Sequence, residues 1–155
     1  SEDEMFELSS LLNFCKEENI EFNVLSAGLD FFINPVLEKY KNKLKVFCND
    51  GNFNSSYIKI DYKYLPVDCK LCGNCGCCKV EIIERYSKEK FKRIVIGDGL
   101  AELNPAKIAD LVFATGNLVK LLEQEKISYI PFNNFHEVKE QLQQALTELD
   151  KEAKA

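Results

Sequence analysis

The residues whose types and spacing could do chemistry lie where short apolar runs end. Asp98 follows the run "RIVI" between two glycines, and Ser26 closes "NVLS" directly before Ala27 and Gly28. Glycine lets backbone N–H groups approach an anion, and carboxylates at such turns are oxygen ligands that Mg²⁺ prefers. Glu102, four residues after Asp98, supplies a second carboxylate. This spacing predicts a site for an anion and Mg²⁺.

Spacing alone leaves a structural alternative open for each of these residues. Aspartate and serine are favoured helix caps and turn residues, so Asp98 could cap a helix over 100–109 and Ser26 could form a turn. Lys79 could be a solvated residue in the first turn of a helix over 79–90. A cation is unfavourable at that end of a helix dipole, which favours a functional interpretation of the lysine.

A second group of reactive side chains lies in the run "CKLCGNCGCCK" over residues 69–79. Cysteine recurs there at every third residue, at Cys69, Cys72, Cys75 and Cys78. Four thiolates could hold a structural Zn²⁺ ion in tetrahedral geometry. Structural zinc sites usually take two pairs of ligands from separated turns, so a loop of free thiols or a local disulfide is the alternative.

The elements that must position these residues alternate between helix and strand. Apolar spacing predicts helices over 2–18, 29–40, 79–90, 104–110, 118–126 and 135–149. Short apolar runs predict strands over 20–26, 44–50, 57–65, 93–97, 111–115 and 127–132. We therefore expect a Rossmann-like α/β fold with a mostly parallel sheet and flanking helices, whose site lies at the carboxyl ends of the strands. One domain over 1–150 and a frayed tail over 151–155 are expected.

Composition excludes several classes of partner. The chain has 155 residues, 46% of them hydrophobic, and a net charge of −5 without a long basic cluster, so no nucleic-acid partner is expected. No apolar run reaches the roughly 18 residues of a membrane span, and the acidic start "SEDEMFEL" is unlike a secretion signal. We expect a cytoplasmic protein without a membrane partner.

The segments "VLSAG" and "IVIGDGLAEL", with Lys79 between them, resemble motifs of the haloacid dehalogenase superfamily, in its phosphoserine-phosphatase-like branch. The resemblance implies a haloacid dehalogenase-like core and Mg²⁺-dependent hydrolysis of a small phosphorylated metabolite. The residues that it implies at the phosphate are Ser26, Ala27, Gly28 and Lys79. It also implies that Asp98 holds Mg²⁺, with Glu102 where the family usually has a second aspartate.

A narrower resemblance is to methionine-salvage phosphatases of the same branch. It is carried by "VLSAGLDFFINPVL", "CGNCGCCK", "AKIADLVFA" and "ISYIPFNNFHEVKEQL". This resemblance implies a substrate from methionine salvage.

The family's first motif, Asp-x-Asp, does not occur in this chain. In the family its first aspartate attacks phosphorus and its second acts as general acid and base. By the resemblance, the motif ends a central strand between those that end at Ser26 and Asp98, and a helical cap follows. We expect an N-terminal segment of the same protein to supply the nucleophile. The alternatives are a non-catalytic zinc module and an inactive remnant that completes its sheet in a homodimer.

Overall fold

The computed structural model describes residues 2–53, 58–61, 64 and 78–154. Its helices are α1 (Glu2–Glu17), α2 (Asp30–Leu37), α3 (Lys79–Glu84), α4 (Leu103–Lys107), α5 (Gly116–Gln124) and α6 (Phe135–Lys154). Its strands are β1 (Asn23–Leu29), β2 (Lys45–Phe53), β3 (Ile58–Asp61), β4 (Ile94–Gly97), β5 (Leu111–Ala114) and β6 (Ile130–Pro131). Short 3-10 turns cover Glu38–Tyr40 and Leu100–Glu102. The alternation of helix and strand confirms the predicted α/β class.

The strands form two three-stranded sheets, in the orders β1-β2-β3 and β4-β5-β6. Pairing is parallel between β1 and β2, between β4 and β5, and between β5 and β6, whereas β2 and β3 pair antiparallel. A mostly parallel arrangement flanked by helices is consistent with the predicted Rossmann-like core. No helix of the described ranges is long and apolar enough to cross a membrane.

Several element boundaries differ from the prediction, and contacts explain two of them. Strand β1 runs over Asn23–Leu29 and so continues past its predicted end at Ser26. Strand β2 continues to Phe53, past its predicted end at residue 50, because β3 pairs with this extension from Asp50↔Asp61 to Phe53↔Ile58. Helix α3 ends at Glu84, six residues before its predicted end. The reason is the buried Arg93 side chain, whose Nε donates a hydrogen bond to the Tyr86 carbonyl at 2.8 Å.

The ladder between β1 and β2 is interrupted where the predicted phosphate turn lies. Pairing runs from Asn23↔Lys45 to Leu25↔Phe47 and resumes only at Leu29↔Asn49. The three intervening residues of β1, Ser26–Gly28, therefore bulge out of the ladder.

The chain divides into two units, one of residues 1–22 with 132–155 and one of residues 23–131. In the first, α1 and α6 pack together and Lys139 Nζ donates to Ser10 Oγ at 3.0 Å. In the second, which holds both sheets, β5 and α5 contribute most of a buried apolar cluster. Its members are Ala106, Val112, Ala114, Leu118 and Leu122. This cluster fixes α5 beside the strands that lead to the candidate site.

Candidate active site

Lys79 and Glu102 form an ion pair at the carboxyl end of β4. Lys79 is the first residue of α3, and Glu102 ends the 3-10 turn that follows the strand. Lys79 Nζ donates to Glu102 Oε1, and the two side chains are only 16% and 12% exposed. The solvated interpretation of Lys79 is therefore wrong, because its ammonium group is largely removed from water beside a carboxylate.

The second oxygen of Glu102 is also engaged. Its Oε2 accepts the Gly99 N–H at 3.1 Å, which ties the carboxylate to the turn between β4 and α4. Gly97 provides the space, since a Cβ there would lie 2.2 Å from Glu102 Cγ. Both carboxylate oxygens of Glu102 are thus held by protein donors.

Asp98 presents a different environment. Asp98 is exposed, and no hydrogen bond or ion pair among the described residues engages its carboxylate. Its main-chain carbonyl accepts the Leu118 N–H at 3.1 Å, which anchors the turn to α5. Gly99, not Asp98, stands directly before the 3-10 turn, so the prediction of Asp98 as a helix cap is wrong. Among the described residues, the Asp98 carboxylate therefore has no protein partner.

Ser26 lies in the other sheet, in the bulge of β1. Its Oγ accepts the Gly28 N–H at 3.0 Å, so the serine turn offered as a structural alternative is present. A Cβ at Gly28 would lie 2.9 Å from Ile33 Cδ1, so close packing favours glycine there. A hydroxyl group that accepts one hydrogen bond still has its O–H to donate. Within the described residues, no hydrogen bond links Ser26 with the Lys79 pair.

The sequence prediction missed two buried polar residues. Asn49 is fully buried on β2, and its Nδ2 donates to the carbonyl of Ala27 at 3.1 Å. Arg93 is 6% exposed, and besides Tyr86 it contacts Glu84, from Nη2 to Oε2 at 3.1 Å. Arg93 thereby anchors the segment after α3, the helix that begins with the site lysine. The signal for both was a polar residue beside an apolar run.

The predicted thiol site is described only at its last member. Cys69, Cys72 and Cys75 lie outside the described residues. Cys78 is a free, buried cysteine, and its Sγ accepts the Glu81 N–H at 3.5 Å, capping α3. In the part of the chain that the structure describes, no group of three or more His, Cys, Asp or Glu side chains could hold a metal ion.

Comparison with known proteins finds several similar sequences. No protein-family model matches the chain. Two proteins named 2-hydroxy-3-keto-5-methylthiopentenyl-1-phosphate phosphatase, from Bacillus cereus (strain AH820) and Bacillus anthracis (strain A0248), are each 41% identical over 136 residues. A protein of the same name from Bacillus thuringiensis (strain Al Hakam) is 40% identical. Each match covers 87% of this chain and 61% of the relative. The chain thus spans about three-fifths of the length of these relatives. The resemblance inferred from the sequence is therefore confirmed: over 87% of its length, this chain is similar to proteins named 2-hydroxy-3-keto-5-methylthiopentenyl-1-phosphate phosphatase.

Proposed function

We propose that the protein containing these residues hydrolyses a small-molecule phosphomonoester with the help of Mg²⁺. The observation that carries the proposal is the turn after β4. It holds the exposed Asp98, whose carboxylate has no partner among the described residues, and Glu102, which pairs with Lys79 at largely buried side chains. A carboxylate for a cation and a held ammonium group are what neutralise the charge of a transferring phosphoryl group. The names of the relatives support a phosphatase.

The roles follow from which side chains are free and which are engaged. Asp98 would hold Mg²⁺, because its carboxylate has no partner among the described residues. Bound Mg²⁺ would supply charge neutralisation at the phosphoryl oxygens. Lys79 donates one of its three ammonium hydrogens to Glu102 and keeps two for the phosphate. Glu102 fits a ligand role less well, since Lys79 and Gly99 occupy its two oxygens.

The nucleophile would come from an N-terminal segment that carries Asp-x-Asp. An aspartate oxygen of that segment attacks phosphorus, the bond from phosphorus to the substrate oxygen breaks, and the leaving alcohol takes a proton from the second aspartate. Water then hydrolyses the aspartyl phosphate, releases inorganic phosphate and restores the carboxylate. Two facts support the proposal. The chain spans 61% of the length of its relatives, and among the described residues β1 and β4 each pair with one strand only. A homodimer mate is the alternative partner for those two strands.

The names of the relatives support a choice of substrate. They specify 2-hydroxy-3-keto-5-methylthiopentenyl-1-phosphate, a small phosphomonoester. We propose this methionine-salvage intermediate as the substrate of the protein containing this chain.

The test is steady-state hydrolysis by the longer protein, with and without Asp98→Asn. The variant should lose at least about 100-fold in kcat/KM and its response to Mg²⁺, because the amide lacks the anionic charge that holds the cation. The fold should persist, since Asp98 is exposed. Asp3→Asn, at an exposed aspartate on α1, is the matched control and should leave turnover unchanged. Undiminished turnover in Asp98→Asn would refute the metal assignment.

A further inference from the structure

The bulge in β1 places residues 26–28 outside the regular strand ladder. The ladder leaves off at Leu25↔Phe47 and resumes at Leu29↔Asn49, so three residues of β1 lie opposite one residue of β2. Bulges of this kind redirect side chains and backbone groups, often beside active sites. Ala27 and Gly28 are exposed, so this part of the strand is accessible to a small molecule.

The peptide group between Ala27 and Gly28 is held at both ends. Its carbonyl accepts from Asn49 Nδ2 at 3.1 Å, and its N–H donates to Ser26 Oγ at 3.0 Å. In a trans peptide the C=O and N–H point in opposite directions. Two hydrogen bonds at opposite ends therefore fix the orientation of the peptide plane, and Asn49 supplies the one that comes from outside the turn.

The burial of Asn49 indicates that this contact has a purpose beyond filling the core. Asn49 is fully buried, and with Arg93 it makes up the buried polar side chains of the described residues. A buried amide is unfavourable unless it is hydrogen-bonded, and an apolar residue at this position of β2 would avoid that requirement. Cys48, the preceding residue, shows that a small, weakly polar side chain is accommodated in this strand.

We propose that Asn49 is a positioning residue that directs the Ser26 hydroxyl group toward a phosphate oxygen. By holding the Ala27 carbonyl, Asn49 sets the direction of the Gly28 N–H. That N–H occupies a lone pair of Ser26 Oγ and leaves the serine O–H to donate outward. The ligand class is a phosphate anion or a phosphomonoester. The inference rests on the proposed function, because it assigns Ser26 to the phosphate.

The test combines two measurements by NMR on the 155-residue chain: hydrogen exchange of the Gly28 amide, and affinity for inorganic phosphate from chemical-shift titration. The variants are Ser26→Ala, Asn49→Leu and the double variant, with Asn49→Ser as a smaller change should the leucine prevent folding. Cys48→Ala is the matched control, a neighbouring buried side chain that alternation along the strand points to the other face. Thermal unfolding monitors the stability of each variant.

Asn49→Leu should accelerate Gly28 exchange and weaken phosphate binding by about tenfold, as Ser26→Ala does. Ser26→Ala removes the hydrogen bond from the serine to the charged ligand, and Asn49→Leu removes the contact that orients that serine. The double variant should bind no more weakly than Ser26→Ala, since Asn49 acts through the serine. Cys48→Ala should change neither readout.

Four results would overturn the inference. Unchanged Gly28 exchange in Asn49→Leu and Asn49→Ser would show that the amide does not hold the peptide. Additive losses in the double variant would show that Asn49 does not act through Ser26. Loss of affinity in Cys48→Ala equal to that in Asn49→Leu would show an effect of stability alone. If the wild-type chain binds no phosphate, the proposed role of Ser26 fails, and with it the assignment of Asn49 to a phosphate site.

Discussion

Replacing Glu102 by glutamine should lower the free energy of unfolding by about 2–3 kcal/mol. The substitution keeps the size of the side chain but removes its charge. Lys79 is only 16% exposed and would keep its ammonium group with no carboxylate beside it. Glutamine offers one carbonyl oxygen, so it could accept from Lys79 or from the Gly99 N–H but not serve both as the two carboxylate oxygens do.

The magnitude follows from the burial of the pair. Breaking a buried ion pair by removing one partner costs about 3–5 kcal/mol, whereas exposed pairs contribute about 0–1 kcal/mol. The side chains of Lys79 and Glu102 are 16% and 12% exposed, so both are largely buried. The remaining exposure and the retained carbonyl oxygen reduce the expected loss to about 2–3 kcal/mol.

The assay is urea unfolding at neutral pH, and the chain contains a matched control. Lys41 and Glu38 form an ion pair at 2.9 Å whose side chains are 67% and 64% exposed. Glu38→Gln makes the same chemical change in water and should cost less than about 1 kcal/mol. Both variants should keep the wild-type dependence on urea concentration, because neither changes the surface exposed on unfolding.

A loss in Glu102→Gln no larger than that in Glu38→Gln would refute the reasoning. A double-mutant cycle strengthens the test. In a Lys79→Met background, Glu102→Gln should cost markedly less than in the wild type, since the unpaired ammonium group is gone. Equal costs in the two backgrounds would show that the pair contributes nothing.

Three further predictions concern the apolar core, the dependence of stability on pH, and the cysteines of residues 69–78. Leu118→Ala should lower the free energy of unfolding by about 3 kcal/mol, because it opens a cavity at a fully buried position, whereas Phe6→Ala, at a side chain 77% exposed, should cost about 0.5 kcal/mol or less; equal losses by urea unfolding would contradict this. Burial raises the pKa of Cys15 from 9.0 to about 11. The folded state therefore disfavours the thiolate form of Cys15. The free energy of unfolding should keep its full value below pH 9 and fall by about 1.4 kcal/mol per pH unit as the pH rises toward 11. The difference between wild-type and Cys15→Ala unfolding profiles isolates this effect, and a difference that does not vary with pH would contradict it. Replacing Cys72 and Cys75 by serine should lower the melting temperature if their thiolates hold a structural metal, and an unchanged melting temperature would exclude that role.

Local patterns in the sequence predicted most of the fold. Apolar spacing located α1, α5 and the start of α6, because an amphipathic helix repeats apolar residues at every third or fourth position. Short apolar runs located β4 and β5, which contribute buried residues such as Val95, Val112 and Phe113. The end of β4 followed from its apolar run, so the sequence places Asp98 at the turn after this strand. The end of β1 did not, because the strand continues past Ser26 to Leu29 through a bulge.

The site contacts could not be predicted because they join residues that are far apart in the sequence. The partner of Lys79 lies 23 residues away, and Asn49 reaches a carbonyl 22 residues before it. No local pattern encodes which side chains the packing of the strands brings together. The early end of α3 has the same kind of cause. Arg93, directly before β4, donates a hydrogen bond from its Nε to the Tyr86 carbonyl.

The most direct test of the central proposal compares hydrolysis of a small phosphomonoester by two proteins in the presence of Mg²⁺. One is this 155-residue chain, and the other is a longer protein that adds an N-terminal segment bearing Asp-x-Asp. We expect turnover by the longer protein that chelation of Mg²⁺ abolishes, and none by the chain alone, because the proposed nucleophile belongs to the added segment. Equal turnover by the chain alone, or none by either protein, would contradict the proposed division of the active site.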